Sequence, residues 1–445
     1  MLVKGRVLIA GLVLALVAAL IAAFSPPTAA QRIEAQFWHA MGGRLGEVVQ
    51  ELVDRFNESQ DQYRITAVFR GNYSETMTAA IAAYRARNHP HIVQVFEVGT
   101  QTMLMSGAVY PVYQLMADYG YEIDWNDFVP PVLSYYATAD GNLYSMPFNS
   151  STPVLYYNKT AFAQAGLDPE RPPETWQEVE EFSRRLIQSG AAECGFTIGW
   201  PSWTMIESTR AWHGLPFATH ENGYTSLDAQ LVINDEFTVN HIDRLARWQS
   251  ERIFRYGGRG GDAEPLFING QCAMIIQSSA AQGGFRSAIN RFEWATAMLP
   301  HYGGEYPKVN SVIGGATLWV LAGKPAREYE AVAAFLKFLS EPEQQAYWHK
   351  ETGYVPISRS AQALLEAEGY LDQNPDQRTA YSQLTYSPPT PETRGLRLGN
   401  FVQIRDVIEE ELENIFRGQK SAKQGLDDAV RRSNQLLREF ASLYQ

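Results

Sequence analysis

The alternation of strands and helices after residue 30 constrains the fold of this chain more than any other feature of its sequence. The predicted elements in chain order are a strand at 31–39, a helix with an apolar face from Leu45 to Phe56, a strand at 63–69, a helix at about 74–87 and a strand at 91–96. This repetition indicates parallel strands joined by helical crossovers. Ligands bind such sheets beyond the carboxyl ends of the strands, and Tyr73 and Glu97 lie just past two of them.

A second α/β set follows along the chain. Further strands are predicted at 153–158, 267–276, 294–299 and 317–321, and a capping box formed by Thr175 and Glu178 predicts a helix to about residue 188. The last third is mostly helical, with helices predicted at 327–339, 341–348, about 361–368, 403–416 and 421–442. The 445 residues suffice for two or three domains, and two α/β lobes fit the pattern better than one long sheet.

The first 30 residues have the pattern of an export signal. Lys4 and Arg6 precede an uncharged run at 7–24, and small residues follow up to Ala30. This pattern predicts a signal peptide over residues 1–30, cleaved after Ala30, and hence an exported protein. An uncleaved membrane anchor is the alternative, because the apolar run approaches the length of a membrane-spanning helix.

Composition excludes some functions and leaves others open. The chain has 37 Lys and Arg residues against 49 Asp and Glu residues, a formal charge of −12, which disfavours nucleic-acid binding. Aromatic residues make up 12% of the chain, which suits core packing but also sites for sugars and polyols. The only two cysteines, Cys194 and Cys272, could form a disulfide in an oxidising compartment or remain separate buried thiols.

The chain carries no recognisable catalytic or metal-binding motif. It has no Gly-x-Ser-x-Gly elbow, no His-Glu-x-x-His and no phosphate-binding P-loop. His89 and His91 are a close pair, but no third ligand pattern follows, which favours a turn before a strand over a metal site. The glycine-rich segment 256–262 opens no predicted helix and is interpreted as a flexible surface loop. We therefore expect no catalytic residue, no metal and no cofactor.

Short serine- and glycine-rich turns next to predicted strands suggest recognition of an anion. These turns are at 148–153, 277–279 and 313–315. Such turns present backbone N–H groups and hydroxyls, which suit a phosphate or a carboxylate. Arg405, at the start of a predicted helix, could supply a bidentate fork to the anion. A surface pair with Asp406 or Glu409 is the alternative for this arginine.

Several sequence blocks make the chain resemble the periplasmic sn-glycerol-3-phosphate-binding proteins, the solute receptors of ABC importers. The blocks lie at 37–39, 71–73, 95–100, 147–159, 199–200, 313–316, 352–356 and 395–400. The most specific are the thirteen residues from Pro147 to Lys159 and the run Gly-Leu-Arg-Leu-Gly-Asn at 395–400. The resemblance covers essentially the whole chain after the leader.

The resemblance implies a type II periplasmic-binding-protein fold. This is a two-lobed α/β fold in which each lobe is a mixed sheet flanked by helices and a hinge joins the lobes. Lobe 1 would comprise 31–149 with about 313–357, and lobe 2 would comprise 150–312 with about 358–445. The family's ligand residues correspond by motif to Tyr73, Glu97, Ser151, Ser279, Gly315, Tyr354 and Arg405, and its aromatic wall corresponds to Trp200 and Trp203.

The chemistry of these residues suggests separate roles. An ionised Glu97 only accepts hydrogen bonds, so it would bind the glycerol hydroxyls and lie away from the phosphate. The phosphate donors would be Tyr73, Ser279, the Gly315 N–H, Tyr354 and Arg405. Ser279 is followed by Ala280 and Ala281 where the family pattern has glycine and another serine, which leaves only Ser279 as a contact there.

The resemblance also implies a function. The protein would be a periplasmic monomer that captures sn-glycerol 3-phosphate, glycerophosphodiesters such as glycerophosphocholine, or both. It would deliver them to a permease with two membrane subunits and a cytoplasmic ATPase. The aromatic content supports an alternative, an oligosaccharide receptor of the same fold. An exported phosphodiesterase or glycosidase is the alternative of another class, because paired catalytic carboxylates could be present among 49 acidic residues.

Overall fold

The computed structural model describes residues 32–304 and 306–444, so the predicted signal peptide lies outside the described residues. The described chain contains two sheets, with strand orders β2-β1-β3-β9-β4 and β6-β7-β5-β8. The strands are β1 (Ile33–His39), β2 (Tyr63–Phe69), β3 (Ile92–Phe96), β4 (Met146–Ser151), β5 (Pro153–Asn158), β6 (Cys194–Ile198), β7 (Cys272–Ser278), β8 (Trp294–Ala297) and β9 (Gly314–Val320).

Both sheets are mixed, as predicted. In the five-stranded sheet, β1 pairs in parallel with β2 and β3, while β9 is antiparallel to β3 and β4. In the four-stranded sheet, β6 and β7 are parallel, and β5 is antiparallel to β7 and β8. The carboxyl ends of β1, β2, β3 and β4 therefore meet at one edge of the first sheet, together with the amino end of β9.

Helices cover the sheets. The α-helices are α1 (Gly43–Ser59), α2 (Tyr73–Arg85), α3 (Thr100–Met105), α4 (Val112–Asp118), α5 (Pro130–Tyr136), α6 (Lys159–Gln164), α7 (Trp176–Gln188), α8 (Ser208–Trp212), α9 (Glu236–Ser250), α10 (Glu264–Ile268), α11 (Ala281–Ala288), α12 (Ala326–Leu339), α13 (Pro342–Thr352), α14 (Arg359–Ala367), α15 (Tyr370–Gln373), α16 (Arg378–Leu384), α17 (Phe401–Phe416) and α18 (Ala422–Ala441). A π-helical turn (Trp203–Glu207) precedes α8, and 3₁₀ turns occupy Glu97–Gly99, Trp125–Asp127 and Pro375–Gln377. Among the described residues, no helix combines the length and apolarity needed to cross a membrane.

Local sequence explains where the elements form and pack. Helix α1 buries Val48, Leu52 and Phe56 on one face, at the spacing that the sequence shows. Helix α7 begins at the predicted capping box, in which the Thr175 side chain accepts from the backbone N–H of Glu178. Strands β3, β4, β5 and β6 are buried along their whole length, because helices cover the sheets on both faces.

Two predictions about the strands are partly wrong, because the segment predicted as a turn at 148–153 belongs to β4 and β5 apart from Thr152. The strand predicted at 267–276 begins only at Cys272, because Phe267 and Ile268 belong to the short helix α10. Pro265 is the second residue of this helix and Gly270, with φ +71°, follows its end. Short apolar runs are buried in helices and strands alike, so periodicity does not separate the two.

The chain passes from one sheet to the other next to Thr152. Only this residue separates β4 of the first sheet from β5 of the second. Gln383 donates from Nε2 to the Thr152 hydroxyl (2.8 Å) and to the Pro153 carbonyl (2.7 Å). The Thr152 hydroxyl also bonds the hydroxyl of Ser311, in the segment that returns from β8 to β9. The two connections between the sheets are therefore tied to each other.

A disulfide joins the two cysteines. Cys194 begins β6 and Cys272 begins β7, and the two residues are partners in the parallel register with Cα atoms 4.6 Å apart. The bond links segments 78 residues apart in sequence. The two cysteines are therefore not the separate buried thiols that the sequence left open as an alternative.

Candidate ligand-binding site

The ends of the strands form one wall of a cavity of about 390 Å³ between the two sheets. Met41 follows β1, Tyr73 follows β2 and Glu97 follows β3, and all three line the cavity. Ser151 at the end of β4 and Gly315 at the start of β9 complete this wall. The cavity thus lies where the rule for parallel strands places a ligand.

The opposite wall comes from the side of the four-stranded sheet. Trp200 follows β6, and Ser278 ends β7. Arg405 lies on α17, whose Phe416 packs against Phe254 next to β6, with ring centroids 5.3 Å apart. A ligand in this cavity would therefore contact both halves of the molecule.

The structure brings together eight of the nine residues predicted from the sequence to bind ligand. Those lining the cavity are Tyr73, Glu97, Ser151, Trp200, Trp203, Gly315, Tyr354 and Arg405. Ser279 lies behind the wall, between the lining residues Ser278 and Ala280. Its buried hydroxyl has no hydrogen-bond partner among the described residues. Whether these residues bind a ligand remains a prediction.

A chain of amides holds Tyr73 in place. The Tyr73 ring stacks on Phe96, with centroids 5.1 Å apart, and its hydroxyl accepts from Asn149 Nδ2 at 2.9 Å. Asn149 Oδ1 accepts from Gln94 Nε2 (2.7 Å), whose Oε1 accepts from the backbone N–H of Ala40 (2.8 Å). The Tyr73 phenol is also hydrogen-bonded to Tyr354, so Asn149 and Tyr354 together fix the position of its oxygen. Burial raises the pKa of Tyr73, so the phenol stays protonated.

A stack of aromatic rings fixes Tyr354. Its ring stacks on Trp348, with centroids 5.5 Å apart, and Trp348 in turn stacks on Phe148 at 4.9 Å. Burial raises the pKa of Tyr354 as well, which keeps this second phenol a hydrogen-bond donor at neutral pH. The site therefore holds two rigid, neutral phenols that are hydrogen-bonded to each other.

Two glycines let the walls approach closely. Gly315 has φ +108°, and a Cβ atom added there would lie 1.9 Å from the Asn149 carbonyl oxygen. A Cβ atom added to Gly314 would lie 2.4 Å from Cζ2 of Trp203. The indole of Trp203 thus packs on the backbone of the opposite wall. Its buried N–H has no partner among the described residues.

Arg405 is held by two carboxylates. Its Nε and Nη2 donate to Glu207 Oε1 (2.9 Å) and Oε2 (2.7 Å), which is a bidentate pair. Nη2 also donates to Glu97 Oε1 at 2.7 Å. All three side chains are buried. The third guanidinium nitrogen, Nη1, has no hydrogen-bond partner among the described residues.

This geometry corrects two expectations about Arg405 and Glu97. Arg405 is neither a surface residue paired with Asp406 or Glu409 nor a free bidentate fork, because Glu207 occupies the fork. Glu97 lies close to Arg405, the proposed phosphate donor, because the two side chains are hydrogen-bonded. Burial raises the pKa of Glu97, and the adjacent charge of Arg405 opposes that rise. The sequence shows each residue but not that they form one ion cluster.

No sequence motif identifies Glu207 as a residue of the site. Glu207 ends the π-helical turn that begins at Trp203, and its Oε1 also accepts from the hydroxyl of Ser202 at 2.9 Å. π-Helical turns are frequent at functional sites, because the extra residue changes where side chains point. The Gly-Trp-Pro-Ser-Trp block just before it is the nearest signal in the sequence.

Arg44 and Glu264 also line the cavity, although no sequence motif identifies them. Arg44 is bound by three carboxylates, those of Glu47, Glu51 and Glu351. The glycine-rich segment 256–262 is not only the flexible surface loop that the sequence predicts, because its Gly261 lines the cavity. The segment is rich in glycine because its backbone runs close to its neighbours. A Cβ atom on Gly257 would lie 2.7 Å from the Cα atom of Ala263.

Within residues 32–304 and 306–444, no group of three or more His, Cys, Asp or Glu side chains is arranged to hold a metal ion. His89 and His91 have separate partners. His89 Nε2 bonds the Ala322 carbonyl at 3.0 Å, and His91 Nε2 bonds Glu328 Oε2 at 2.7 Å. Burial lowers the pKa of both imidazoles. The pair thus connects β3 to the segment after β9.

Comparisons with known proteins agree with this architecture. Residues 51–377 match the family described as bacterial extracellular solute-binding protein. The sn-glycerol-3-phosphate-binding periplasmic protein UgpB of Salmonella typhimurium is 46% identical over 406 residues, covering 91% of this chain and 92% of the relative.

Solved structures show the same two-domain fold. UgpB from Mycobacterium tuberculosis, in complex with glycerophosphocholine, has a TM-score of 0.77 and 25% identity, covering 92% of this chain and 99% of that one. The GacH receptor of Streptomyces glaucescens, solved unliganded and with acarbose, has a TM-score of 0.76 and 16% identity, with the same coverage, and supports the fold alone. This chain belongs to the family of bacterial extracellular solute-binding proteins, among the sn-glycerol-3-phosphate-binding periplasmic proteins.

Proposed function

We propose that this protein captures sn-glycerol 3-phosphate, glycerophosphodiesters such as glycerophosphocholine, or both. It delivers them to an ABC importer whose permease has two membrane subunits and a cytoplasmic ATPase. The names of the relatives support this proposal, since one is called sn-glycerol-3-phosphate-binding and another was solved with glycerophosphocholine. In this proposal the protein acts as a periplasmic monomer and performs no chemistry on its ligand.

The observation that carries the proposal is the convergence of hydrogen-bond donors on one cavity. The Tyr73 and Tyr354 hydroxyls are hydrogen-bonded to each other, Nη1 of Arg405 has no hydrogen-bond partner in the described chain, and all three residues line the cavity. Neutral phenols and a guanidinium suit a phosphate, because each donates to its oxygens. Ser279 and the N–H of Gly315 add to this set in the proposal.

The remaining residues suit the glycerol part of the ligand. Glu97 accepts hydrogen bonds, so we assign it to the hydroxyl groups even though it touches Arg405. Arg405 then contacts the phosphate through Nη1 alone, since Nε and Nη2 are held by carboxylates. Trp200 and Trp203 cover the carbon skeleton and exclude water, and Ser151 supplies a further hydroxyl.

We further propose the two lobes that the resemblance implies, 31–149 with about 313–357 and 150–312 with about 358–445, with the first boundary moved to Thr152 because Ser150 and Ser151 pair with β9 of the first sheet. The connection at Thr152 and the return segment with Ser311 form the hinge in this proposal, supported by the hydrogen bonds that join them. Ligand contacts to both walls would shift the population toward the closed form. Residues 1–30 would direct export and be removed.

Calorimetric titration with sn-glycerol 3-phosphate, glycerophosphocholine and maltose tests the ligand class. We expect both phosphate ligands, or one of them, to bind and maltose to give no heat beyond dilution. Binding of maltose alone would contradict the proposal and favour the oligosaccharide receptor.

Incubation with glycerophosphocholine and an assay for released choline tests the enzyme alternative. We expect intact ligand to be recovered after prolonged incubation at a protein concentration that saturates binding. Catalytic release of choline, in excess of the protein present, would replace the transport proposal by a phosphodiesterase.

A further inference from the structure

Among the charged groups that line the cavity, the carboxylate of Glu264 is the one without an oppositely charged partner in the described chain. Four charged residues line it, namely Arg44, Glu97, Glu264 and Arg405. Arg44 is paired with three glutamates, while Glu97 and Arg405 are paired with each other. For Glu264 the described residues provide no Lys, Arg or His partner. When Glu264 is ionised, its negative charge in the cavity is therefore compensated by no described side chain.

A hydrogen-bond network fixes the acceptor role of Glu264. Gln277 is buried, and its Oε1 accepts from the backbone N–H of Ser278 at 2.7 Å. That bond orients the amide so that Nε2 donates to Glu264 Oε1 at 3.0 Å. Glu264 Oε2 has no hydrogen-bond partner among the described residues. One carboxylate oxygen is therefore held by the protein while the other is left for a ligand.

The indole of Trp200 and the Glu264 carboxylate flank two consecutive glycines, Gly260 and Gly261. The backbone N–H of Trp200 donates to the Gly260 carbonyl at 2.8 Å, and that of Glu264 donates to the Gly261 carbonyl at 3.0 Å. A Cβ atom on Gly260 would lie 3.9 Å from Cη2 of Trp200, and one on Gly261 would lie 3.1 Å from Oε1 of Glu264. Two consecutive glycines thus separate an aromatic ring from a carboxylate within one cavity wall.

The glycine-rich segment between Trp200 and Glu264 is fixed to the rest of the protein. Arg259, in the same glycine-rich segment, donates from Nε to Glu413 on α17 at 2.6 Å, so this segment is attached to the helix that carries Arg405. Trp200 itself has φ +49°, a conformation that non-glycine residues rarely adopt. Such strain persists where the surrounding structure determines it, often at ligand sites.

We propose that Glu264 and Trp200 form a subsite for the cationic head group of a zwitterionic glycerophosphodiester, such as one that carries choline or ethanolamine. The carboxylate compensates the ammonium charge, and the indole attracts it through a cation–π interaction. This inference rests on the proposed function, since it assumes that Arg405, Tyr73 and Tyr354 hold the phosphate. It makes Glu264 the residue that selects among diesters by the charge of their head groups.

The test compares four ligands in wild-type protein and in Glu264→Gln. The ligands are glycerophosphocholine, glycerophosphoethanolamine, glycerophosphoglycerol and sn-glycerol 3-phosphate, titrated by calorimetry. The variant keeps the size of the side chain and an oxygen to accept from Gln277, so the fold should persist. Glu236→Gln, an exposed residue that does not line the cavity, is the control for the same change in net charge.

We expect Glu264→Gln to lower the affinity for the choline and ethanolamine diesters about tenfold or more. The affinities for glycerophosphoglycerol and sn-glycerol 3-phosphate should stay within about twofold or rise, because neither has a cationic head group and both are anions. Glu236→Gln should change none of the four.

An equal loss for all four ligands, or no loss for the cationic diesters, would overturn the inference. A selective loss for glycerophosphoglycerol would also overturn it, since it would mean that Glu264 binds a hydroxyl. Failure of the proposed function gives a different result, because the wild-type protein would then bind none of the four.

Discussion

Arg405 and Glu97 are hydrogen-bonded at 2.7 Å although they lie on opposite walls of the cavity. Glu97 follows β3 of the five-stranded sheet, and Arg405 belongs to α17 on the side of the four-stranded sheet. The same guanidinium forms a bidentate pair with Glu207 on its own side. An ion cluster therefore joins the two walls at the point where the phosphate is proposed to bind, and it restricts which nitrogen of Arg405 can reach a ligand.

Replacing Arg405 should weaken binding of phosphate ligands. We expect Arg405→Ala to reduce the binding free energy of sn-glycerol 3-phosphate by about 2–4 kcal/mol, because it removes a charged donor and leaves two carboxylates without their cation. Calorimetry measures the change. Arg417→Ala, at an exposed arginine just after the same helix, is the control and should bind like wild type. Unchanged affinity in Arg405→Ala would mean that Arg405 does not contact the ligand.

Glu207 should act by positioning Arg405. We expect Glu207→Gln to lower the affinity for sn-glycerol 3-phosphate about tenfold, since the guanidinium loses the charged partner that fixes its orientation. The free energy of unfolding should fall by about 1–3 kcal/mol, because a buried ion pair is broken. Titration and urea unfolding check both effects. Wild-type affinity together with lowered stability would limit Glu207 to a structural role.

Substitution by alanine should affect stability and binding differently at two glycines that line the cavity. Gly315→Ala places a methyl group 1.9 Å from the Asn149 carbonyl oxygen at a residue with φ +108°, so we expect lower stability and lost binding. Gly284→Ala meets no atom within 4 Å and should be tolerated. Thermal unfolding and titration of both variants check this contrast. Equal effects of the two substitutions would show that the close contact at Gly315 is not what shapes the wall.

Glu264 should make the stability of the ligand-free protein depend on pH. Burial raises the pKa of Glu264 to about 7, above the value of about 4.3 for an unfolded chain. The folded state thus binds more protons between these values, and this contribution to stability declines as pH rises from about 4 to about 7.

Glu264→Gln removes that dependence. The free energy of unfolding of the variant minus that of the wild type should be about 1–2 kcal/mol larger at pH 8 than at pH 4.5. The difference is no larger because the side chain is partly exposed. Urea unfolding at both pH values measures the difference. The same relative stability at both values would contradict a raised pKa.

The disulfide should stabilise the fold. Reduction of Cys194–Cys272, which closes a long loop, should lower the free energy of unfolding by about 2–4 kcal/mol. Thermal unfolding with and without reductant checks this prediction. The double variant Cys194→Ser, Cys272→Ser should match the reduced protein and be insensitive to reductant. An oxidised wild type that melts at the same temperature as the double variant would contradict the prediction.

Much of the fold follows from periodicity in the sequence. Strand β2 and strand β5 have the predicted bounds, and the capping box at Thr175 begins α7 as predicted. The strand around Phe267 was misplaced because a short apolar helix and a buried strand have similar sequences. Which strands share a sheet depends on contacts between distant segments, and local patterns do not contain that information.

The site was predicted only in part, because local sequence patterns do not show which distant residues the fold brings together. Motifs identify Tyr73, Tyr354 and Arg405 because their sequence context is distinctive. Glu207 and Glu264 have no such context, and each looks like any other of the 49 acidic residues until the fold places it. The partner of Arg405 could not be predicted either, since Glu97 is 308 residues away along the chain.

A crystal structure of the protein with sn-glycerol 3-phosphate tests the central claim most directly. The claim is that the cavity between the two sheets binds the phosphate. We expect phosphate oxygens within hydrogen-bond distance of Arg405 Nη1 and of the Tyr73 and Tyr354 hydroxyls, with the glycerol hydroxyls at Glu97. A ligand bound outside this cavity, or one whose phosphate faces solvent while Arg405 contacts only carboxylates, would contradict the account.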